Sequence, residues 1–394
     1  MSLTPARLDR LAEAMQAYVD RQEIPGLVLL LHQHDVTWVH HHGVRDLETR
    51  APMTNDTIFR IASMTKPVIA AATMHLVDDK VLDLDAPVDP WLPELANRQV
   101  VRSVTGPLDD TVPATRPITT RQLLTLTWGL GALMREPGES PLQDAMDELG
   151  VGPGPFQPAV TPDAFLAAIG SLPLAHQPGE GWLYHTGFDV LPILLQRITG
   201  QPVVDFMRER LFEPLGMADT GFVVPAQATD RLATAYGMAG DSLVVADTAE
   251  DGRWTREPGV PTELVSTATD YLAFARCLLD EGDAPGGRVL TAGSVREMTH
   301  NHISPEIKRD FPFYPGFWDG TGWGYGVSVR TSPPDAPGLG AGSYGWAGGF
   351  NTHWQNDPAT GLVAMLFTQR LAGGPADEGM ISTFWRLVAE ALHT

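Results

Sequence analysis

Apolar positions recur along this chain in two rhythms, and the change of rhythm divides it. Leu8, Leu11, Met15 and Tyr18 fall three or four apart and predict an amphipathic helix near the start. The runs Gly26-Leu27-Val28-Leu29-Leu30-Leu31 and Val36-Thr37-Trp38-Val39 flank the polar Gln33-His34-Asp35 and predict two strands of a hairpin. From about residue 64 to 290 helical spacing dominates, broken by Pro/Gly-rich loops at 153–158 and 173–181. Beyond residue 320 strand patterns return in Tyr325-Gly326-Val327-Ser328-Val329, Gly349-Phe350-Asn351-Thr352-His353-Trp354 and Leu362-Val363-Ala364-Met365-Leu366-Phe367, and a last amphipathic helix spans 381–392. Strands at both ends with helices between them predict an α+β fold, an antiparallel sheet built from N- and C-terminal segments with helices on its faces. The 394 residues exceed what one core usually holds, so we expect a discontinuous sheet domain (1–63 and 291–394), a mostly helical domain (64–290) and a cleft between them.

Ser63-Met64-Thr65-Lys66 falls where these two parts meet. A serine hydroxyl is a weak nucleophile until a base takes its proton, and a lysine serves when desolvation or nearby positive charge lowers its pKa. Residues three apart share a helix face, which lets Lys66 reach Ser63, and a helix start favours developing negative charge. Pro67 is tolerable in a first turn, and Val68 to Val77 read as the buried helix that follows. The tetrapeptide alone recurs by chance in chains of this length, where a surface serine and a solvated lysine are the ordinary reading.

Composition narrows the partners. The chain is 43% hydrophobic with a mean hydropathy of −0.08, and no apolar run approaches the roughly 20 residues of a spanning helix. A net charge of −21 disfavours nucleic acid and anionic membranes, so a neutral or cationic small molecule is the expected partner. The lone Cys277 sits in a helical pattern and reads as a packing residue, and the absence of a charged-then-apolar leader predicts a cytoplasmic protein. His32, His34, His40, His41 and His42 invite a metal reading, but no carboxylate or cysteine cluster completes a site, so solvated strand-end histidines are expected and no metal or cofactor is called for. No Gly-x-Gly-x-x-Gly follows a predicted strand, and Ala341-Gly342-Ser343-Tyr344-Gly345 lacks the first glycine of a nucleophile elbow; it reads as a flexible approach to the strand carrying Trp346.

Phe59-Arg60-Ile61-Ala62-Ser63-Met64-Thr65-Lys66 resembles the nucleophile segment of the serine β-lactamase and penicillin-binding superfamily, most of all the class C β-lactamase branch and, within it, the family VIII carboxylesterases. Segments 118–125, 214–222 and 264–271 look familial as well, so the likeness covers nearly the whole chain. The resemblance implies a β-lactamase/transpeptidase-like fold with Ser63 as nucleophile, Lys66 as base and Tyr184 as the tyrosine of a Tyr-x-Asn element. Trp346-Ala347-Gly348 matches the Lys-Thr-Gly strand, and the backbone N–H groups of Ser63 and Gly349 would form the oxyanion hole.

Three positions depart from that pattern. Thr186 stands for the asparagine, Trp346 for the lysine, and Leu126 where many relatives have a histidine. Replacing a cation by an indole removes the group that would meet a β-lactam carboxylate and weighs against efficient β-lactam turnover. Trp346, Gly348, Thr186, His185 and Trp128 are the expected substrate-binding residues, with the aromatic run 311–318 as an apolar lid or a packed connection and the loop 136–162 as a further wall. The expected activity is hydrolysis of small carboxylic esters through a Ser63 acyl-enzyme, without cofactors. β-Lactam or D-amino-acid peptide or amide hydrolysis and acyl transfer are alternatives within the same chemistry, and a non-catalytic penicillin-binding-like protein is the contrasting class.

Overall fold

The computed structural model describes residues 3–240, 242–250, 252–333, 338–373 and 379–392. Its largest sheet has seven strands, β1 (Gly26–Gln33), β2 (Val36–Gly43), β3 (Thr321–Trp323), β4 (Ser328–Arg330), β5 (Tyr344–Gly348), β6 (Thr352–Asp357) and β7 (Leu362–Phe367), in the order β3-β4-β5-β6-β7-β1-β2. Every pairing is antiparallel, and β1 lies between β7 and β2 with Val28 opposite Phe367 and Leu29 opposite His40.

The alternation of side chains explains why β1 is apolar from Gly26 to Leu31. Leu27, Leu29 and Leu31 face one way, into a cluster with Leu8, Leu11 and Met15 of the N-terminal helix Pro5–Asp20 and Phe384, Leu387 and Val388 of the C-terminal helix Gly379–Leu392. Val28 and Leu30 face the other way and join the core of the helical half. A strand covered on both faces has no polar side to present. Leu29 is fully buried, and Leu29→Ala is expected to destabilise the protein by about 2–5 kcal/mol, read as a lower urea midpoint with unchanged slope.

The segment 65–290 is less purely helical than its spacing suggests. Its described residues carry three ribbons, Gln99–Val101 with Thr111–Pro113, Ala235–Ala239 with Ser242–Asp247 and Asp283–Ala284 with Gly287–Arg288, and the short strand Leu264–Ser266 pairs with Phe59–Ala62 just before Ser63. In the C-terminal part, β4 starts at Ser328, because Gly326 turns the chain at φ +76°, and Gly349-Phe350-Asn351 is a tight turn, with Asn351 at φ +57°, and not the start of a strand. Tyr344 and Gly345, read above as a flexible approach, belong to β5, and the buried Tyr344 hydroxyl accepts a hydrogen bond from Asn356. The loop 136–162 holds the helix Pro141–Glu148.

Candidate active site

Ser63 follows the strand Phe59–Ala62, and the helix Thr65–Asp78 begins two residues later. That helix is buried on all sides from Thr65 to Met74, as a helix apolar all round must be, and Pro67 occupies its first turn. Its start is pinned. Thr65 Oγ1 accepts from Leu264 N at 2.8 Å, and the Tyr271 hydroxyl donates to Met64 O at 2.9 Å. From the sheet, Gly348 closes on the same turn: a Cβ there would lie 2.2 Å from Ile61 O and 2.3 Å from Thr352 Oγ1, so only glycine lets β5 approach. Gly349 follows at the end of β5, where a Cβ would come within 2.9 Å of Pro155.

The structure brings Ser63, Lys66, Tyr184, His185 and Trp346 together. Lys66 Nζ donates to Ser63 Oγ at 2.9 Å, lies 3.5 Å from His185 Nδ1 and stands 5.0 Å over the Tyr184 ring. Trp346 Nε1 donates to the Tyr184 hydroxyl at 2.7 Å, and its indole packs edge-on against Trp323 with centroids 4.6 Å apart. The indole is thus both an apolar wall and a polar partner of the tyrosine. His185, at φ +92°, turns its ring inward, with Nε2 3.5 Å from Asp189 Oδ1.

Two expected binding residues lie elsewhere. The Thr186 side chain is fully buried and donates to Leu130 O at 2.6 Å, a bond within the fold. Trp128 is fully buried in the helical core and is not among the residues lining the cavity described below. The histidines of the first hairpin are engaged separately, His32 with Thr37, His40 with Gln16, His41 with Asn55 and His42 with Asp20. Cys277 is buried, and burial pushes its thiol up to about 12, which makes it unreactive.

Electrostatics changes the reading of Lys66. Burial lowers its pKa, but Tyr184, Glu263 and Asp189 act in the opposite sense and outweigh it, so the pKa is raised and the resting lysine is an ammonium. His185 is pushed down by burial and by Lys66, and stays neutral. Glu263 was not singled out by the sequence, where it sits in an unremarkable Pro261-Thr262-Glu263-Leu264. Its Oε1 lies 3.8 Å from Lys66 Nζ, both side chains being shielded from water.

A cavity of about 300 Å³ opens beside Tyr184, walled by Trp182, Leu133, Met134, Phe311 and Phe313. The aromatic run is divided: Phe311 and Phe313 line the cavity, while Phe317 and Trp318 pack on Trp182 at 5.4 and 5.1 Å.

A serine before a buried helix, backed by a lysine and a tyrosine at the meeting of a seven-stranded antiparallel sheet and a helical half, defines the serine acyl-enzyme class that the sequence resembles. The Beta-lactamase family model matches residues 11–383, and the chain belongs to that family. Protein Rv1367c of Mycobacterium tuberculosis is 38% identical over 369 residues, covering 92% of this chain and 90% of its own. Esterase EstB of Burkholderia gladioli is 30% identical over 410 residues, covering 98% and 95%. Among solved structures, EstCE1, described as a hydrolase with promiscuous acyltransferase activity, matches with a TM-score of 0.80 at 24% identity over 100% of both chains, a likeness of fold.

Proposed function

We propose that this protein is a serine hydrolase that cleaves small carboxylic esters through an acyl-enzyme on Ser63. The observation that carries this reading is the hydrogen-bonded set Lys66–Ser63 and Trp346–Tyr184, which supplies a nucleophile and proton-handling groups but no cation at position 346. The relationship to Esterase EstB supports the same activity.

In this scheme Ser63 Oγ attacks the ester carbonyl carbon. In the reactive form the Tyr184 oxygen, beside the Lys66 ammonium and accepting from Trp346 Nε1, is the general base. It takes the Ser63 proton and returns it to the leaving alkoxide. The N–H groups of Ser63 and Gly349 hold the carbonyl oxygen as it becomes negative. Water then repeats the cycle on the acyl-enzyme, losing its proton to the same base and freeing the acid.

The aromatic cavity beside Tyr184 suits an apolar acyl or alcohol group of modest size. The division into a sheet domain and a helical domain with the site in their cleft, and a cytoplasmic setting, belong to the same proposal; no described helix is long and apolar enough to cross a membrane. The test is steady-state hydrolysis of p-nitrophenyl butyrate beside a chromogenic cephalosporin. The expected result is ester turnover with a kcat/KM at least about 100-fold above that for the cephalosporin, since the latter's carboxylate meets Trp346 where relatives offer a lysine. Fast cephalosporin turnover without ester turnover would overturn the substrate assignment while leaving the fold intact.

A further inference from the structure

Glu263 stands at the end of the loop entering the strand Leu264–Ser266, which runs beside Phe59–Ala62 just before the serine. Its main chain is fixed, since its carbonyl accepts from Trp254 Nε1 at 2.8 Å. Its side chain is 1% exposed, with Oε1 3.8 Å from Lys66 Nζ and Oε2 without a hydrogen-bond partner among the described residues. A carboxylate stripped of water and half unsatisfied is costly, and it persists in folded proteins where a nearby cation compensates.

The surroundings of Lys66 Nζ identify that cation. The nitrogen donates to Ser63 Oγ at 2.9 Å and lies 3.5 Å from His185 Nδ1, while Glu263 Oε1 faces it at 3.8 Å, an ion-pair distance. The other charged and titratable groups around the pair are Asp189, which stands behind His185 on the helix Gly187–Thr199, His185 itself, which is neutral, and Tyr184, whose ring lies under Nζ.

We propose that Glu263 is a positioning residue of this site, a buried acid that in its ionised form is the counter-charge to the Lys66 ammonium and holds it on Ser63 Oγ. The proposal rests on Ser63 being the nucleophile. It assigns Glu263 no contact with substrate and no proton-transfer step. It gives a reason for an acid in a place where burial would otherwise exclude one, and its charge adds to that of Tyr184, the largest influence that raises the Lys66 pKa in spite of burial.

The proposal has a pH signature. Burial pushes the Glu263 carboxyl up to about 8, so it is neutral well below that pH and charged above it. Its charge therefore reinforces the Lys66 ammonium most in the alkaline range, where Lys66 would otherwise begin to lose its proton. Removing the charge removes one of the influences that raise Lys66, so Lys66 deprotonates at lower pH.

The test compares wild type with Glu263→Gln, which keeps shape and removes charge, and Glu263→Asp, which keeps charge on a shorter arm. At about pH 9, where the wild-type carboxyl is charged, we expect kcat of Glu263→Gln for p-nitrophenyl butyrate to fall about tenfold or more with KM within about twofold, and the alkaline limb of the kcat profile to move down by about one pH unit. Glu263→Asp is expected to restore the position of that limb. A Glu263→Gln enzyme with wild-type kcat and an unmoved profile overturns the proposal, and so does one that is more active than wild type at neutral pH, because then the free amine is the useful form. If Glu263→Gln does not fold, the wild-type rate of covalent labelling by a fluorophosphonate is followed between pH 6 and 10; a step near the Glu263 titration supports the proposal and a rate without one overturns it. Labelling of Ser63→Ala at the wild-type rate would instead sink the assignment of the nucleophile, an outcome separate from any result at Glu263.

Discussion

Ser63→Ala is expected to abolish turnover of p-nitrophenyl butyrate, with a loss of about 10³-fold or more in kcat and a fold indistinguishable from wild type by circular dichroism. The size follows from the chemistry: without Oγ no acyl-enzyme forms, and what is left is water attacking an ester held near the oxyanion donors. Stability should hardly suffer. Among the described residues Ser63 Oγ accepts one hydrogen bond, from Lys66, and the turn is secured by main-chain and neighbouring bonds that alanine keeps, Met64 N to Ile61 O and Tyr271 to Met64 O among them. A Ser63→Ala protein with wild-type kcat would place the nucleophile elsewhere. Electrospray mass of the protein quenched during turnover adds a second readout, with the acyl increment expected on wild type and absent from the variant.

Tyr184→Phe ranks next, with kcat expected to fall about 10²–10⁴-fold and KM little changed, measured on the same ester. The phenol oxygen receives the Trp346 N–H, and its ring lies under the Lys66 ammonium, so phenylalanine keeps the packing against Phe313 and Trp346 while deleting the proton acceptor. Trp346→Phe separates the two roles of the indole. It keeps an aromatic wall against Trp323, removes only the donor to Tyr184, and should cost less than Tyr184→Phe. Equal activity of Tyr184→Phe and wild type would return the proton to Lys66 and contradict the scheme.

How much of this was readable from the chain depended on whether the signal was local. The terminal helices declare themselves through Leu8, Leu11 and Met15 and through Phe384, Leu387 and Val388, and β1 and β7 through unbroken apolar runs, because each element's burial is written in its own periodicity. Ser63 and Lys66 are legible for the same reason, being one helical turn apart. The hairpin of β5 and β6 was misplaced at its turn because its geometry rests on Asn351 at positive φ, which polar residues adopt without advertising it. Thr186 and Trp128 look like pocket residues in a linear motif, and only the packing shows one bonded to Leu130 O and the other enclosed by the core. Glu263 left no local trace. A glutamate after Pro261-Thr262 reads as loop polarity, and what distinguishes it is the loss of water around it and a lysine nearly two hundred positions away, both products of the completed fold.

The order of strands bears on how this protein is made. β1 takes β7 as one of its two neighbours, so β1 leaves the ribosome more than three hundred residues before the strand it pairs with. At roughly 5–20 residues per second that wait is on the order of half a minute, during which eight consecutive residues destined for complete burial stay without their far partner. Trp346 on β5 emerges late as well, so a nascent chain carries Ser63 as an ordinary alcohol. The nascent chain is therefore chemically silent and adhesive at once, until the late strands arrive.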